Sequence, residues 1–429
     1  MRDEEATPRL SVVVPSHQRA HALARALEAL RRQDAPRGTF EVLVVLDGST
    51  DGSVELLEAW VRDGRLPALR WHWQENAGQS AARDAGVRLA AAPVVLFLDD
   101  DVVASPDLVS RHLAWHAAGE RIAVLGDCEI VLDGEPPHAP PSLYMQFVRL
   151  WWEDTYRVRA LPGRLATYRD FCAGNVSLRR VDYLAVGGFD AAFRGYGGED
   201  YELGYRLLAA GVRFVPDRAA HALHYHRQTV HSALRGARQE AIADVYLGRK
   251  HPELRAGLRL MLLPTEGLEG RLVRLALDAP RLDAAITRLG ALALGVAERL
   301  RLRTLWRTLH LRFRAHAYWS GVRRALGTRA ALTEFQRGAE LPWRAIEISR
   351  GLPPLDALRD VWVHGPSRLA VTLHGEPLAT IVLADDPNEP LRDYLARWIV
   401  WRAPGAALLA SADAGTSPLD VGAAPATAP

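Results

Sequence analysis

The apolar run Val94-Val95-Leu96-Phe97-Leu98 ends in three consecutive carboxylates, Asp99-Asp100-Asp101. Three like charges side by side repel, and burying any of them unpaired is costly. A chain that places them at the end of a core strand is expected to hold a cation there. Hard divalent ions take oxygen ligands and bridge to phosphates. The triplet therefore points to an enzyme that holds a nucleotide diphosphate through Mn²⁺ or Mg²⁺.

The residues before the triplet set the fold class. Leu10 to Val14, Glu41 to Leu46, Ala68 to Trp73 and Val94 to Leu98 read as strands. Between them Leu23, Leu27 and Leu30, then Leu56, Leu57 and Trp60, then Gln79 to Leu89 read as helices. Alternating strands and helices with nearly continuous apolar strands predict an α/β fold with a mostly parallel, Rossmann-like central sheet. Ligands of such sheets bind beyond the carboxyl ends of the strands. Pro15-Ser16-His17, Asp47-Gly48-Ser49 and Asp99-Asp100-Asp101 then meet at one edge. Ser16, Ser49 and Asp51 could equally cap helices.

With 429 residues the chain has room for two or three domains. The expected divisions are 1–250 for the α/β unit, 251–345 for a helical extension and 346–410 for a small β-containing module. Residues 411–429, rich in Ala, Pro, Gly and Thr, are expected to form a disordered tail. In the extension, Leu282, Ile286, Leu289, Ala293, Val296 and Leu300 mark one helical face, taken as core. From Arg271 to Arg329, thirteen arginines stand against Asp278, Asp283 and Glu298, a local balance of +10 in a chain of net +2. Such arginines form either a solvated face or a contact with an anionic membrane. Two cysteines fit a reducing compartment. The N-terminus has no apolar signal core, and the longest uncharged apolar stretch of the C-terminal half, Leu289 to Ala297, has nine residues, too few to span a bilayer. A cytoplasmic protein is expected, with peripheral contact at the inner face of the membrane through 271–329 as the variant reading. No nucleic-acid partner is expected. Trp151, Trp152 and Tyr156 could form a sugar platform, but core is the preferred reading.

A second constellation lies between Phe171 and His231. Gly197-Gly198 precede Glu199-Asp200, which open a helix running to Ala210. The helix dipole favours an ionised carboxylate in that first turn, and such a carboxylate can take a proton from a sugar hydroxyl. Taken alone, the pair could simply complement the dipole. His221, His224, His226 and His231 follow within eleven residues. His224 or His226 could complete a metal site begun by Asp101.

In order and spacing these pieces resemble glycosyltransferase family 2, inverting enzymes of the GT-A fold. The matching pieces are Ser11 to Pro15, Asp47-Gly48-Ser49-Thr50-Asp51, Asn76-Ala77-Gly78 leading to Ala82-Arg83, the triplet, Gly187-Gly188-Phe189-Asp190 and Gly198-Glu199-Asp200. Together they span roughly residues 10 to 230. The resemblance implies a nucleotide-diphosphate sugar donor and a glycan, lipid-linked or small-molecule acceptor. It implies donor binding by Pro15, His17, Asp47, Arg83, Asp99 and Asp100, and a metal at Asp101 with His224 or His226. Asp200 would be the general base and Glu199 would orient the acceptor. Two departures stand out: the family usually has an acid at Leu46 and Asn at Asp84.

Three rivals are weaker. A polysaccharide synthase relative would carry Gln-x-x-Arg-Trp, but Arg397-Trp398 is preceded by Tyr394. A dehydrogenase would need a glycine-rich first turn, and Pro15 to Arg19 has no glycine. A binding protein without turnover would not need the intact triplet with Asp200. Arginines clamping the triplet, with no room for phosphates, would remove the metal reading.

Overall fold

The computed structural model describes residues 7–66, 68–132, 141–193, 197–263, 267–337, 339, 341, 343–348, 367–383, 390 and 393–395. The expected tail at 411–429 and the Arg397-Trp398 pair lie outside them. Strands β1 (Leu10–Ser16), β2 (Phe40–Asp47), β3 (Leu69–Gln74) and β4 (Val94–Leu98) alternate with helices α1 (Ala20–Arg31), α2 (Ser53–Arg62) and α3 (Gln79–Leu89). The four strands pair in parallel in the order β3-β2-β1-β4. Successive side chains of a strand point to opposite faces. Val13, Leu43, Val95 and Phe97 accordingly enter one core cluster, while Val12, Val14, Val44 and Leu96 enter another. The sheet is buried on both faces, which is why its strands read as unbroken apolar runs.

The chain continues through β5 (Val102–Ala104), α4 (Leu108–His116), β6 (Ile122–Ile130), α5 (Leu143–Arg159), β7 (Asn175–Arg179), α6 (Arg180–Ala185), α7 (Glu199–Ala209) and β8 (Arg213–His224). These complete an eight-stranded sheet in the order β3-β2-β1-β4-β7-β6-β8-β5, in which β7 and β5 run against the rest. The mostly parallel α/β sheet is as expected. The stretch after residue 121 supplies the nine-residue β6. Strand β8 runs twelve residues and ends at His224, the first of the two candidate histidine ligands. Trp152 stacks on Tyr156 with ring centroids 5.3 Å apart, and Tyr156 is core, while Trp151 is half exposed.

Helices α8 (Val230–Lys250), α9 (Gly267–Asp278), α10 (Asp283–Arg299), α11 (Arg303–Leu326) and α12 (Arg329–Arg337) follow. The division expected at residue 250 does not separate two cores. One cluster holds Phe97 and Phe171 together with Trp319, Leu332 and Phe335. The apolar face expected to be the core side of α10 is also reversed. Leu289, Val296 and Leu300 are more than half exposed, and the buried residues are Thr287, Gly290, Leu294 and Ala297. A Cβ on Gly290 would stand 2.4 Å from Phe313 of α11, so the helix packs through its smallest residues. Finally β9 (Trp343–Glu347), β10 (Ser367–Leu373) and β11 (Glu376–Leu383) form a small sheet with its own core, which includes Leu165.

Candidate active site

Parallel pairing brings the ends of β1, β2 and β4 to one edge of the sheet. The reversed β7 begins at that edge, with Asn175 opposite Leu98. Antiparallel pairing of β5 with β8 sets Val102 opposite His224, so the strand after the triplet and the histidine strand share a register. His224 Nε2 lies 3.2 Å from Asp101 Oδ1, and the backbone N–H of Tyr225 donates to the Asp101 carbonyl at 2.9 Å. Asp101, His224 and His226 each offer a ligand atom, all within 4.8 Å of one another. Two donors at right angles around one ion, each at about 2.1 Å, stand roughly 3 Å apart. The carboxylate–imidazole distance fits that requirement, and the sequence-predicted triad is brought together with both histidines.

The other two aspartates are held inward. Asp100 accepts from Ser16 Oγ at 2.7 Å and faces Arg19 Nη1 at 3.2 Å. Burial pushes its carboxyl up to about 6 against the pull of Arg19. Asp100, expected to contact the donor, is held by these two partners. Arg19 also reaches Asp101 Oδ2 at 2.7 Å. Burial would raise the Asp101 carboxyl, but the His224 hydrogen bond and the His224 and Arg19 charges hold it well below the carboxylate range. Arginines therefore do touch the triplet. Arg19 is 52% exposed and takes Oδ2, while the oxygen facing His224 is Oδ1.

Asp99 accepts from Arg83 Nη2 at 2.7 Å and from Gln79 at 3.1 Å. Arg83 was expected to bind the donor. Instead its side chain is 2% exposed, and Nη1 lies 3.8 Å from Asp200 Oδ1. The guanidinium joins the triplet to the helix that carries Glu199 and Asp200. Gly198, at φ +90°, turns the chain into that helix, and its missing Cβ would stand 2.7 Å from Ala243. Asp200 Oδ2 accepts from the Ala173 N–H at 3.2 Å. Glu199 Oε2 and Asp200 Oδ1 are buried and make no hydrogen bond among the described residues. Burial, then the neighbouring Glu199, raises the Asp200 carboxyl to about 7 despite Arg83. Burial raises Glu199 as well.

Asp47 was expected to meet a nucleotide base. Its Oδ1 takes the Ala77 N–H at 2.9 Å and Gln74 Nε2 at 2.8 Å, and its Oδ2 takes the Gly78 N–H at 2.8 Å. It holds the Asn76-Ala77-Gly78 turn and keeps one lone pair on Oδ2. His17 is exposed, with Nδ1 2.5 Å from the Asp47 carbonyl and 3.2 Å from Asn76. Pro15 is buried in β1 and touches the site only by placing His17. Asp51 accepts from the N–H of Ala20 in the first turn of α1, while the N-cap positions of α1 and α2 are Arg19 and Gly52, so it is the N-cap of neither helix. Asp84, the departure from Asn, receives the Tyr183 hydroxyl and the Phe189 N–H, tying α3 to the Gly187-Gly188 turn.

Sequence reasoning missed Arg19 and the polar residues Tyr144, Gln228, Glu240 and Arg314. Gln228 Oε1 lies 3.5 Å from His226 Nε2 and accepts from the Tyr144 hydroxyl at 2.7 Å. On α8, Glu240 pairs with Arg314 of α11 at 2.6 Å, and a Cβ on Gly197 would stand 3.4 Å from its Cγ. These residues lie up to 170 positions apart in the chain, and no local spacing signals their meeting.

The chain is similar to several known proteins. The profile of "Glycosyl transferase family 2" matches residues 11–185, and that of "N-terminal domain of galactosyltransferase" matches residues 156–232. Validoxylamine A glucosyltransferase of Streptomyces hygroscopicus subsp. jinggangensis (strain 5008) is 35% identical over 275 residues, covering 58% of this chain and 62% of the relative. The uncharacterized glycosyltransferase YfnE of Bacillus subtilis (strain 168) is 28% identical over 243 residues, covering 48% and 61%. The chain thus spans about three fifths of the length of these curated relatives. Among solved structures, the mannosyltransferase PcManGT from Pyrobaculum calidifontis in complex with GDP-Man and Mn²⁺ aligns with a TM-score of 0.46 and 22% identity, covering 73% of this chain and 87% of that one.

Proposed function

We propose that the chain, whose residues 11–185 match the profile of glycosyl transferase family 2, moves a sugar, with inversion, from a nucleotide-diphosphate donor to an acceptor hydroxyl, with Asp200 as general base. One observation carries this reading: a cluster fit for a metal and a pair of unbonded buried carboxyl oxygens lie along one sheet edge, joined by Asp99 and Arg83. Among the described residues, the five carboxylates Asp99, Asp100, Asp101, Glu199 and Asp200 are met by the arginines Arg19 and Arg83, and a divalent cation would offset the remaining negative charge. Asp101, His224 and His226 would hold it. Two imidazoles beside one carboxylate suit Mn²⁺ better than Mg²⁺, which prefers oxygen. When bound, the ion offsets charge that develops on the departing diphosphate.

The remaining steps use the chain's own residues. Asp200 accepts the proton of the acceptor hydroxyl. The freed oxygen bonds to the anomeric carbon as the bond from that carbon to the diphosphate oxygen breaks, and its electrons leave with the diphosphate. Attack from the face opposite the leaving group inverts the centre. Glu199, beside the base, orients the acceptor. Arg19 is exposed enough to exchange its carboxylate partners for phosphate oxygens, which suit the same guanidinium fork. The last lone pair of Asp47 would take a base N–H, with His17 at the lip. Tyr144, Gln228, Glu240 and Arg314 would wall the acceptor side. The name of the 35%-identical relative makes a glucosyl donor the first to try.

The test is thermal shift and calorimetry with nucleoside diphosphates and their glucosides. Mn²⁺ together with diphosphate should raise the melting temperature by mass action, and Mg²⁺ should do so less. Asp101→Asn should weaken diphosphate binding with metal present and leave it unchanged in chelator. Equal weakening in chelator would remove the metal role. Asp200→Asn should bind diphosphate normally and transfer nothing, and transfer at a normal rate would remove the base assignment.

A further inference from the structure

We infer that α10 carries a docking surface for an anionic lipid bilayer. Leu282, Leu289, Leu292, Val296 and Leu300 are 49, 64, 67, 54 and 63% exposed. Along α10 itself, at 3.6 residues per turn, Leu289, Leu292 and Val296 fall within an arc of about 60° around the helix axis, with Arg288 and Arg299 in the next 40° or so, and Arg281 and Leu282 in the 3-10 turn before the helix and Leu300 just after it flank this stripe. All three arginines are exposed. A stripe of leucines edged by arginines is the pattern of a helix that lies in a membrane interface.

The helix cannot roll to hide this stripe, because its other face is pinned along its whole length. Near the start, Asp283 Oδ1 meets Arg238 at 3.1 Å and His316 at 3.2 Å. In the middle, Gly290 lets Phe313 approach closer than any side chain would allow. At the end, Glu298 Oε1 accepts from the Leu143 N–H at 2.8 Å. Leu294 and Ala297 are buried between these points.

Charge decides the occupant. Thirteen arginines lie between 271 and 329 against three acids. Asp283 and Glu298 face inward, and Asp278 pairs with Arg329 at 3.0 Å, so the outward field is positive. A second copy would lay arginine against arginine, at a cost. A nucleic acid would satisfy the arginines and leave the leucines in water. A bilayer with anionic headgroups satisfies both, since the guanidinium groups meet phosphates while the leucines enter the acyl boundary. Among the described residues no helix is long and apolar enough to cross a membrane, so the contact is peripheral. This surface makes no use of the proposed catalytic groups.

The experiment is co-sedimentation of the full chain with phosphatidylcholine vesicles, with and without phosphatidylglycerol. Pelleting should require phosphatidylglycerol and should weaken at least about ten-fold in high salt. Arg288→Glu with Arg299→Glu, and separately Leu289→Ser with Leu292→Ser, should each lower binding by a similar factor without changing the melting temperature, because all four side chains are exposed. Absence of pelleting at low salt overturns the proposal, as does retention of binding by either variant. A dimer in light scattering that the leucine variant abolishes would assign the stripe to a second copy instead.

Discussion

Arg83 is the residue on which the two halves of the site depend. It is buried, it bonds Asp99, and it faces Asp200 across 3.8 Å. A guanidinium favours the ionised carboxylate beside it, so Arg83 opposes the rise of Asp200 to about 7 caused by burial and by Glu199. Transfer should therefore increase with pH through an apparent value near 7 that belongs to the Glu199–Asp200 pair. Arg83→Gln should move that rise to higher pH, and Arg83→Lys should restore part of the shift. A profile unmoved by Arg83→Gln would leave Arg83 as packing alone. The same burial has a stability consequence. A carboxyl raised from 3.8 to about 7 contributes stability that is complete below pH 3.8 and lost as pH rises through 7. Asp200→Asn should thus raise the melting temperature at pH 8 and leave it nearly unchanged at pH 4. The sequence singled out Asp200 and the candidate ligands Asp101, His224 and His226 because each sits in a short dense motif. It did not expose what Arg83 and Arg19 touch, because ion-pair partners are chosen by the fold and not by spacing.

Helix α3 shows why element packing constrains the site. Gly86 stands where a Cβ would lie 2.3 Å from Val13 Cγ1 in β1. The helix that carries Gln79 and Arg83 can therefore rest directly on the central strand. Gly86→Ala should push α3 outward and destabilise the chain by about 1–3 kcal/mol, the usual range for overpacking, read from denaturant melts. Because Arg83 rides on that helix, activity should fall along with stability. An unchanged midpoint would mean that α3 has slack that the close contact denies. At this scale legibility divides by strand type. The parallel strands β1, β2 and β4 announce themselves because both their faces are buried. In β8, Arg213–His224, exposed and buried residues mix, so no unbroken apolar run marks it as a strand. On α10 the periodicity was correct but its sense was inverted, since Thr287, Gly290 and Ala297 are small enough to pack closely and leave the leucines outside. Apolar spacing identifies a face and not what covers it.

For the whole molecule, the question is whether the helices after residue 250 are an appendage. Gly321 of α11 abuts α8, where a Cβ would lie 2.4 Å from the Arg238 carbonyl oxygen. Gly248 of α8 likewise leaves room for Phe335 of α12. The Tyr318 hydroxyl donates to Asp244 at 2.5 Å, and Lys250, the single lysine, holds Asp190 and Glu202 at 2.6 and 2.8 Å. Removing α9 to α12 would strip Val273, Trp319, Val322, Leu332 and Phe335 from the shared core, bare the face of α8 at Gly248, and leave Asp244 without its hydroxyl partner. A chain ended at residue 250 should therefore lose cooperative melting and expose enough apolar surface to aggregate. A chain ended at 337 should keep one sharp transition, because the β9–β11 sheet has a cluster of its own in which Leu165 is the main link to the rest. Calorimetry of the two truncations decides the matter. If the shorter chain melted as sharply as the longer, the helices would be a separate unit, and Arg314 could not be a fixed part of the acceptor wall.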